Sequence, residues 1–205
     1  MSLEYVTMSV AAVLLYTAPI FVMLMSVVLF KEKLNLTKIL SLALAFGGCI
    51  FTSGILGGIK GEFIGILMAL GSGFFYALYS IFSRYAINRG YSSWTIVFYT
   101  FLFSSIGCSF ISDWGNIAQV FASSPSVSLL YLGLGVITGF LPYIFYSMGL
   151  ERLESSRASI IASFEPVGAT ILGFVFFKEV PDIFCIIGIV LVLSSIVILS
   201  IKKDK

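Results

Sequence analysis

Seven apolar runs, each about twenty residues long and closed by a short polar turn, leave this chain little choice of fold. In the hydrocarbon of a bilayer every backbone N–H and C=O must find a protein partner, so runs of that length are expected as membrane-crossing helices. They fall at about residues 9–30, 39–58, 62–83, 93–112, 127–149, 156–177 and 183–201. Lys31-Glu32-Lys33 closes the first, Gly57-Gly58 the second and Arg84 the third. Trp94 and Trp114 sit near the two ends of the fourth, where interfacial aromatics are expected. Residues 113–126 carry no basic side chain and are expected to hold a short surface helix. Composition removes the soluble alternative. The chain is 59% hydrophobic and 11% charged, with a mean hydropathy of +1.08, and a water-facing surface needs far more charge. The expected class is an all-α integral membrane protein, a polytopic helical bundle of about seven transmembrane helices in a lipid bilayer.

The same composition narrows function. The net charge is only +2, and the basic residues lie in interhelical turns rather than in a patch, so no nucleic-acid partner is expected. There is no histidine, which removes the commonest metal ligand and general base together. A Ser–His pair and a His-ligated metal are thereby excluded, no pair of membrane-embedded aspartates is present, and an intramembrane enzyme is the weakest reading. No cofactor or metal is expected. Cys49, Cys108 and Cys185 each fall inside an apolar run and are expected to behave as small buried hydrophobes rather than as disulfides. The start, Met1-Ser2-Leu3-Glu4-Tyr5, lacks the basic region of a cleavable signal peptide. Asn35-Leu36-Thr37 matches a glycosylation sequon but sits in a tight turn expected inside the cell, and is read as chance.

Orientation follows from counting Lys and Arg by side. With a cytoplasmic C-terminus in the plasma membrane, the inside holds Lys31, Lys33, Lys38, Arg84, Arg89, Arg152, Arg157, Lys202, Lys203 and Lys205, and the outside Lys60 and Lys178. Ten against two is a strong positive-inside bias. Seven spans would then put Met1 outside with nothing ahead of it to carry it across.

An internal repeat accounts for that oddity. An offset of 147 residues aligns Leu3-Glu4 with Leu150-Glu151, Ser9 with Ser156, Ala11 with Ala158, Pro19 with Pro166, and Phe30-Lys31-Glu32 with Phe177-Lys178-Glu179, all without a gap. Spans one and two are thus counterparts of spans six and seven, while spans three to five have none. About 85 residues bearing three spans are expected upstream, and each full unit would have five spans. An odd number inverts the second unit against the first, as in many secondary transporters. The domain reading is residues 1–58 as the end of a first repeat with two helices, residues 59–201 as a complete second repeat with five, and 202–205 as a cytoplasmic basic tail.

The residue that stands out is Glu165, near the middle of the sixth span and followed at once by Pro166. Proline removes a backbone donor and bends the helix, and a carboxylate at that depth costs about 2.5–3.5 kcal/mol on insertion, so it should face protein or water. Pro19 matches Pro166, but Ala18 stands where the other copy has Glu165. The helix break therefore belongs to the scaffold and the carboxylate to one half only. An apolar setting favours the neutral acid, which gives Glu165 two expected roles: carrying a coupled proton, or meeting a cationic or hydroxylated part of a substrate. A stripe of small residues runs beside it: Ser159, Ala162, Ser163, Pro166, Ala169, Thr170 and Gly173. The third span has a similar face through Gly65, Ala69, Ser72, Gly73, Tyr76, Ser80 and Ser83, and the first offers Ala12, Tyr16, Pro19, Met23 and Ser26. Plain helix packing explains most of the glycines and alanines. The fifth span is expected to break near Gly139 and Pro142, beside Tyr143 and Tyr146.

Tyr146 to Glu179 resembles the second EamA domain of the drug/metabolite transporter superfamily. The likeness rests on a Tyr-x-x-Gly-Leu segment ending span five, then Ser156-Arg157-Ala158-Ser159, Glu165-Pro166 and Lys178-Glu179. Phe75-Tyr76-Ala77-Leu78-Tyr79 and the stretch from Pro19 to Glu32 fit the same pattern. The resemblance covers essentially the whole chain and implies a ten-helix transporter of inverted five-helix repeats with a central cavity and alternating access. Carried over by position, it implies a cavity formed by Tyr16, Tyr76, Tyr143, Ser163 and Glu165, with helix breaks at Pro19, Pro142 and Pro166. The implied function is secondary transport of small metabolites such as amino acids or drug-like compounds, with a proton as candidate coupling partner and a second copy of the chain as candidate assembly partner. The competing reading is a truncated, inactive or assembly-only membrane protein.

Overall fold

The computed structural model describes residues 8–53, 63–178 and 180–201. The expected helix end at Gly57-Gly58, Lys60, Glu179 and the tail 202–205 lie outside those residues. Every regular element among the described residues is helical: α1 (Met8–Leu15), α2 (Ala18–Phe30), α3 (Leu36–Thr52), α4 (Phe63–Asn88), α5 (Ser93–Ser109), α6 (Trp114–Ser123), α7 (Pro125–Leu134), a π segment (Gly135–Phe140), α8 (Leu141–Arg152), α9 (Ser155–Ala162), α10 (Glu165–Phe177) and α11 (Ile183–Ile201). Val10–Phe30, Phe63–Asn88, Pro125–Arg152, Ser155–Phe177 and Ile183–Ser200 are each long and apolar enough to cross a membrane. The other two expected spans are helical but shorter. α3 has 17 residues. α5 also has 17, and it turns through 109° into α6, so the pair makes a sixth crossing if it acts as one. Asp113 sets that turn by accepting the N–H groups of Gly115 (3.0 Å) and Asn116 (3.1 Å), an N-cap that starts α6 afresh.

The burial pattern is the reverse of a water-soluble protein's. Ser26, Ser41, Ser80, Ser147 and Ser195 are fully buried, while Val28, Phe63, Phe75, Phe145, Phe176 and Phe177 stand exposed. Apolar side chains turned outward over whole helices match a hydrocarbon solvent rather than water. Of the three cysteines, Cys49 is buried, Cys185 half-buried and Cys108 exposed, and all three are free thiols.

The chain groups into two compact units, one from Met1–Phe82 with Leu153–Lys205, the other Ser83–Arg152. In the first unit, α3 lies along α11. A Cβ on Gly48 would come 2.7 Å from the Gly188 carbonyl, and one on Gly188 2.7 Å from the Gly48 carbonyl, so the close approach requires both glycines. Met23, Ala45, Ile160 and Leu199 form a shared core of α2, α3, α9 and α11. Val22, Ala77 and Ile81 seat α2 on α4. The offset of 147 residues reappears as geometry. Thr17 (φ −72°, ψ −14°) and Phe164 (φ −69°, ψ −16°) interrupt their spans in the same way, just before Pro19 and Pro166. Lys31 (φ 55°) and Lys178 (φ 58°) end those spans in the left-handed region, a helix stop that more often uses glycine.

One end of this unit is tied by charge. The Glu32 carboxylate accepts the N–H of Ser155 (2.9 Å), the N–H of Ser156 (3.3 Å) and the Ser156 hydroxyl, so it caps the N-terminus of α9 from another helix. Lys38, only 1% exposed, donates to the Lys33 carbonyl (2.9 Å) and lies 2.6 Å from Glu154 and 3.9 Å from Glu32. Arg157 completes the group, 3.6 Å from Glu154 and donating to the Leu199 carbonyl at 3.1 Å.

In the second unit α5 packs on α8. Glu151 accepts the N–H of Ser93 (3.1 Å) and its hydroxyl (2.5 Å), and Arg84 donates to the Leu150 carbonyl. The expected break near Gly139 and Pro142 is not a break. Residues 135–140 widen into a π turn, in which the Leu141 N–H reaches back to the Val136 carbonyl, and the helix continues. Proline at 142 supplies no N–H to the preceding turn, and a local π turn absorbs that loss without ending the helix.

Candidate functional site

The two interrupted spans meet. α1 ends at Leu15 and α2 begins at Ala18; α9 ends at Ala162 and α10 begins at Glu165. These four residues, with Tyr16, Pro19, Tyr76, Ser159 and Ser163, line a cleft that encloses about 340 Å³ out to its open mouth. A discontinuous helix is a common way to build a transporter's binding site, because its interruption brings backbone ends and side chains together at membrane depth.

Local sequence explains each wall. Pro19 and Pro166 occupy the first turn of α2 and α10, where a missing N–H costs nothing. At the first interruption the Thr17 hydroxyl donates to the Leu14 carbonyl (2.6 Å), occupying an acceptor that the broken helix leaves over. α4 approaches there through Gly73, where a Cβ would lie 3.0 Å from the Leu14 carbonyl and 3.2 Å from that of Leu15. That absence of a side chain lets Tyr76, one turn further along α4, reach the cleft. At the second interruption the Cys49 thiol points at the Ser163 carbonyl from 3.9 Å, and Cys49, Val167 and Val192 pack with Tyr16 alongside.

Of the residues expected at the site, Tyr16, Tyr76, Ser163 and Glu165 are brought together, along with Pro19. Tyr143 belongs to the second unit and stacks edge-on against Phe101, ring centroids 5.4 Å apart. The positional list omitted Ser159, which lines the cleft one turn before Ser163. The small-residue stripe already carried it, and four-residue spacing of two hydroxyls was the signal that could have found it. Ser159 and Ser163 are 1% and 3% exposed, so they form the cleft's inner wall. Glu165 stands nearer the mouth, where its side chain is exposed. Chemically the cleft offers one carboxyl group, two phenols and two hydroxyls, a set suited to holding and releasing a small polar molecule.

Comparison with known proteins identifies the scaffold. A model of the EamA-like transporter family matches residues 1–54 and 63–201. An uncharacterized transporter of Archaeoglobus fulgidus is 28% identical over 96% of this chain and 68% of its own length. An uncharacterized transporter of Bacillus subtilis, YxxF, is 24% identical over 99% of this chain and 65% of its own. The chain thus spans about two thirds of the length of these relatives. A solved crystal structure superposes with a TM-score of 0.79 at 16% identity, covering 98% of this chain and 69% of that one, and shares its fold. This chain is a multi-pass helical membrane protein and belongs to the EamA-like transporter family.

Proposed function

We propose that the chain forms the last seven spans of a ten-helix secondary transporter, with residues 1–58 closing a first repeat and 59–201 forming an inverted second one. In this reading it resides in the plasma membrane with its C-terminus in the cytoplasm, and carries small metabolites such as amino acids or drug-like compounds by alternating access. The cleft at the two interrupted spans is the substrate site, with Tyr16, Tyr76, Ser163 and Glu165 as contacts. Glu165 couples movement to a proton. The observation that carries the reading is the meeting of two proline-interrupted spans, one of them holding a glutamate halfway along its 23 residues. Interrupted helices at the midplane supply binding sites, and an ionisable residue in a membrane span is functional by default.

Reconstitution into liposomes tests it. Proteoliposomes should take up substrate faster than empty vesicles from a mixture of amino acids and amines, with a rate that responds to an imposed pH gradient. Glu165→Gln should abolish the pH response. A variant that transports at the normal rate with unchanged pH dependence would remove Glu165 from the mechanism.

A further inference from the structure

α6, a helix of 10 residues, is exposed along its whole length: every one of its residues whose side chain is described lies open. A helix that short is marginal alone in water, so its partner has to be sought outside the chain. Both of its ends are nonetheless fixed. At the start Asp113 accepts the N–H groups of Gly115 and Asn116 and the side-chain amide of Asn116 (2.6 Å). The Trp114 indole N–H donates to the Ser109 carbonyl at the end of α5 (2.9 Å). At the far end the Ser128 hydroxyl of α7 donates to the Phe121 carbonyl (2.8 Å). The turn of 109° from α5 into α6 is therefore built in. With a period of 3.6 residues, Trp114, Ile117, Ala118 and Phe121 fall on one face of α6, and Asn116 and Gln119 on the opposite one. Exposed Ile106, Phe110 and Ile111 lead up to that apolar face from α5. α5 does not need α6 to reach across a bilayer. Its 17 residues rise about 25 Å, and Phe110 and Ile111 extend the apolar run toward the roughly 30 Å of a hydrocarbon core.

We infer that α6 does not complete a crossing but lies along the membrane surface, with the face of Trp114, Ile117 and Phe121 seated at the boundary between lipid headgroups and acyl chains. A helix turned nearly at right angles to its span runs in the membrane plane, and an amphipathic helix in that plane buries its apolar side in lipid. Tryptophan is the side chain most at home at that depth, and the Trp114 ring is 61% exposed with its N–H already spent on Ser109. Asn116 and Gln119, on the other face, are left to headgroups and water. α6 carries no charged residue, so its hold on lipid comes from apolar insertion and does not select anionic headgroups. In the proposed orientation this is the outer surface. The inference stands apart from the reading of the cleft. Pinned to α5 at one end and to α7 at the other, α6 sets the depth at which both spans meet the interface.

Tryptophan fluorescence of the full chain in liposomes tests this. Trp94→Phe leaves Trp114 as the one indole. In that background, Trp114→Phe combined with Phe121→Trp moves the probe along the apolar face, and Trp114→Phe combined with Gln119→Trp moves it to the polar one. For Trp114 and for Phe121→Trp, bromines placed high on the lipid acyl chains should quench more than bromines near the chain ends, and aqueous iodide should quench weakly. For Gln119→Trp, iodide should quench about threefold more strongly than for Phe121→Trp, because only the apolar face is in lipid. Adding anionic lipid should leave the pattern unchanged. Equal iodide quenching of Gln119→Trp and Phe121→Trp would place α6 in water. Stronger quenching by the deep bromines at every position would place it inside the bilayer as a re-entrant segment. Shielding of both faces from iodide and bromine alike would mean a protein partner, and a two-faced pattern seen only with anionic lipid would mean headgroup selection. Each of these overturns the inference. If Trp94→Phe does not fold, the same substitutions with Trp94 retained give the comparison, its emission being a constant background.

Discussion

At the end of α2 the carboxylate of Glu32 takes three hydrogen bonds from Ser155 and Ser156, with the buried Lys38 at 3.9 Å. At the start of α10, in the same unit, the carboxylate of Glu165 takes none among the described residues. Glu32 closes a helix terminus whose N–H groups would otherwise be left over, and its charge is balanced by Lys38. Glu165 closes nothing; it opens onto a cleft. Both are glutamates in the turns of proline-interrupted spans, and residue type alone would not separate them. What separates them is satisfaction: a saturated carboxylate belongs to the architecture, whereas an unsaturated one at membrane depth is left available for something that comes and goes.

Lys38→Met should break the saturated side most severely. It leaves Glu32 and Glu154 without their shared cation, and removal of one partner from a buried ion pair costs about 3–5 kcal/mol. Thermal unfolding in detergent should show this as a clear fall in Tm. Adding Glu32→Gln and Glu154→Gln to the same chain should recover part of the loss, because the uncompensated charges are then gone. A single variant with an unchanged Tm would mean that the cluster is not architectural.

Ser156→Ala is a finer cut, since the backbone N–H groups of Ser155 and Ser156 still reach Glu32 and only the hydroxyl donor is lost. A hydrogen bond to a charged group is worth about 1.5–3 kcal/mol, so the fall in Tm should be smaller than for Lys38→Met. The order of these two matters more than either value.

The two sides of the comparison also differ in how far they could be read from sequence. The Glu165 side was legible. The offset of 147 residues put Pro19 opposite Pro166 and Ala18 opposite Glu165, which fixed both interruptions and the asymmetry between them. The Glu32 side was not. Lys38 reads in sequence as one more basic residue of a cytoplasmic turn, yet it is 1% exposed, because its partner Glu154 comes from a turn far along the chain, just before α9. No local spacing encodes a contact between residues 38 and 154. The π turn at Gly135–Phe140 was hidden for a related reason: Gly139 and Pro142 mark a perturbed helix, but whether it breaks or widens depends on what packs around it. The α3–α11 crossing was not legible either, since no local spacing marks Gly48 and Gly188 as partners.

Glu165→Gln should have the smallest effect on stability and thereby sharpen the contrast. The side chain is exposed at the cleft mouth, so the change breaks no contact in the described structure. A negative charge in the first turn of α10 contributes about 0.3–1 kcal/mol through the helix dipole, and its removal also lifts the insertion cost of a charge at depth. The two oppose one another, so Tm should move far less than in Lys38→Met. Transport should move instead. Under the proposed function, uptake into liposomes by the unmodified chain should respond to an imposed pH gradient. In Glu165→Gln that response should be lost, because the cleft then holds no carboxyl group to carry the proton. If the variant instead unfolded as readily as Lys38→Met, Glu165 would be a structural residue whose partners lie outside the described residues, and the distinction between the two glutamates would collapse.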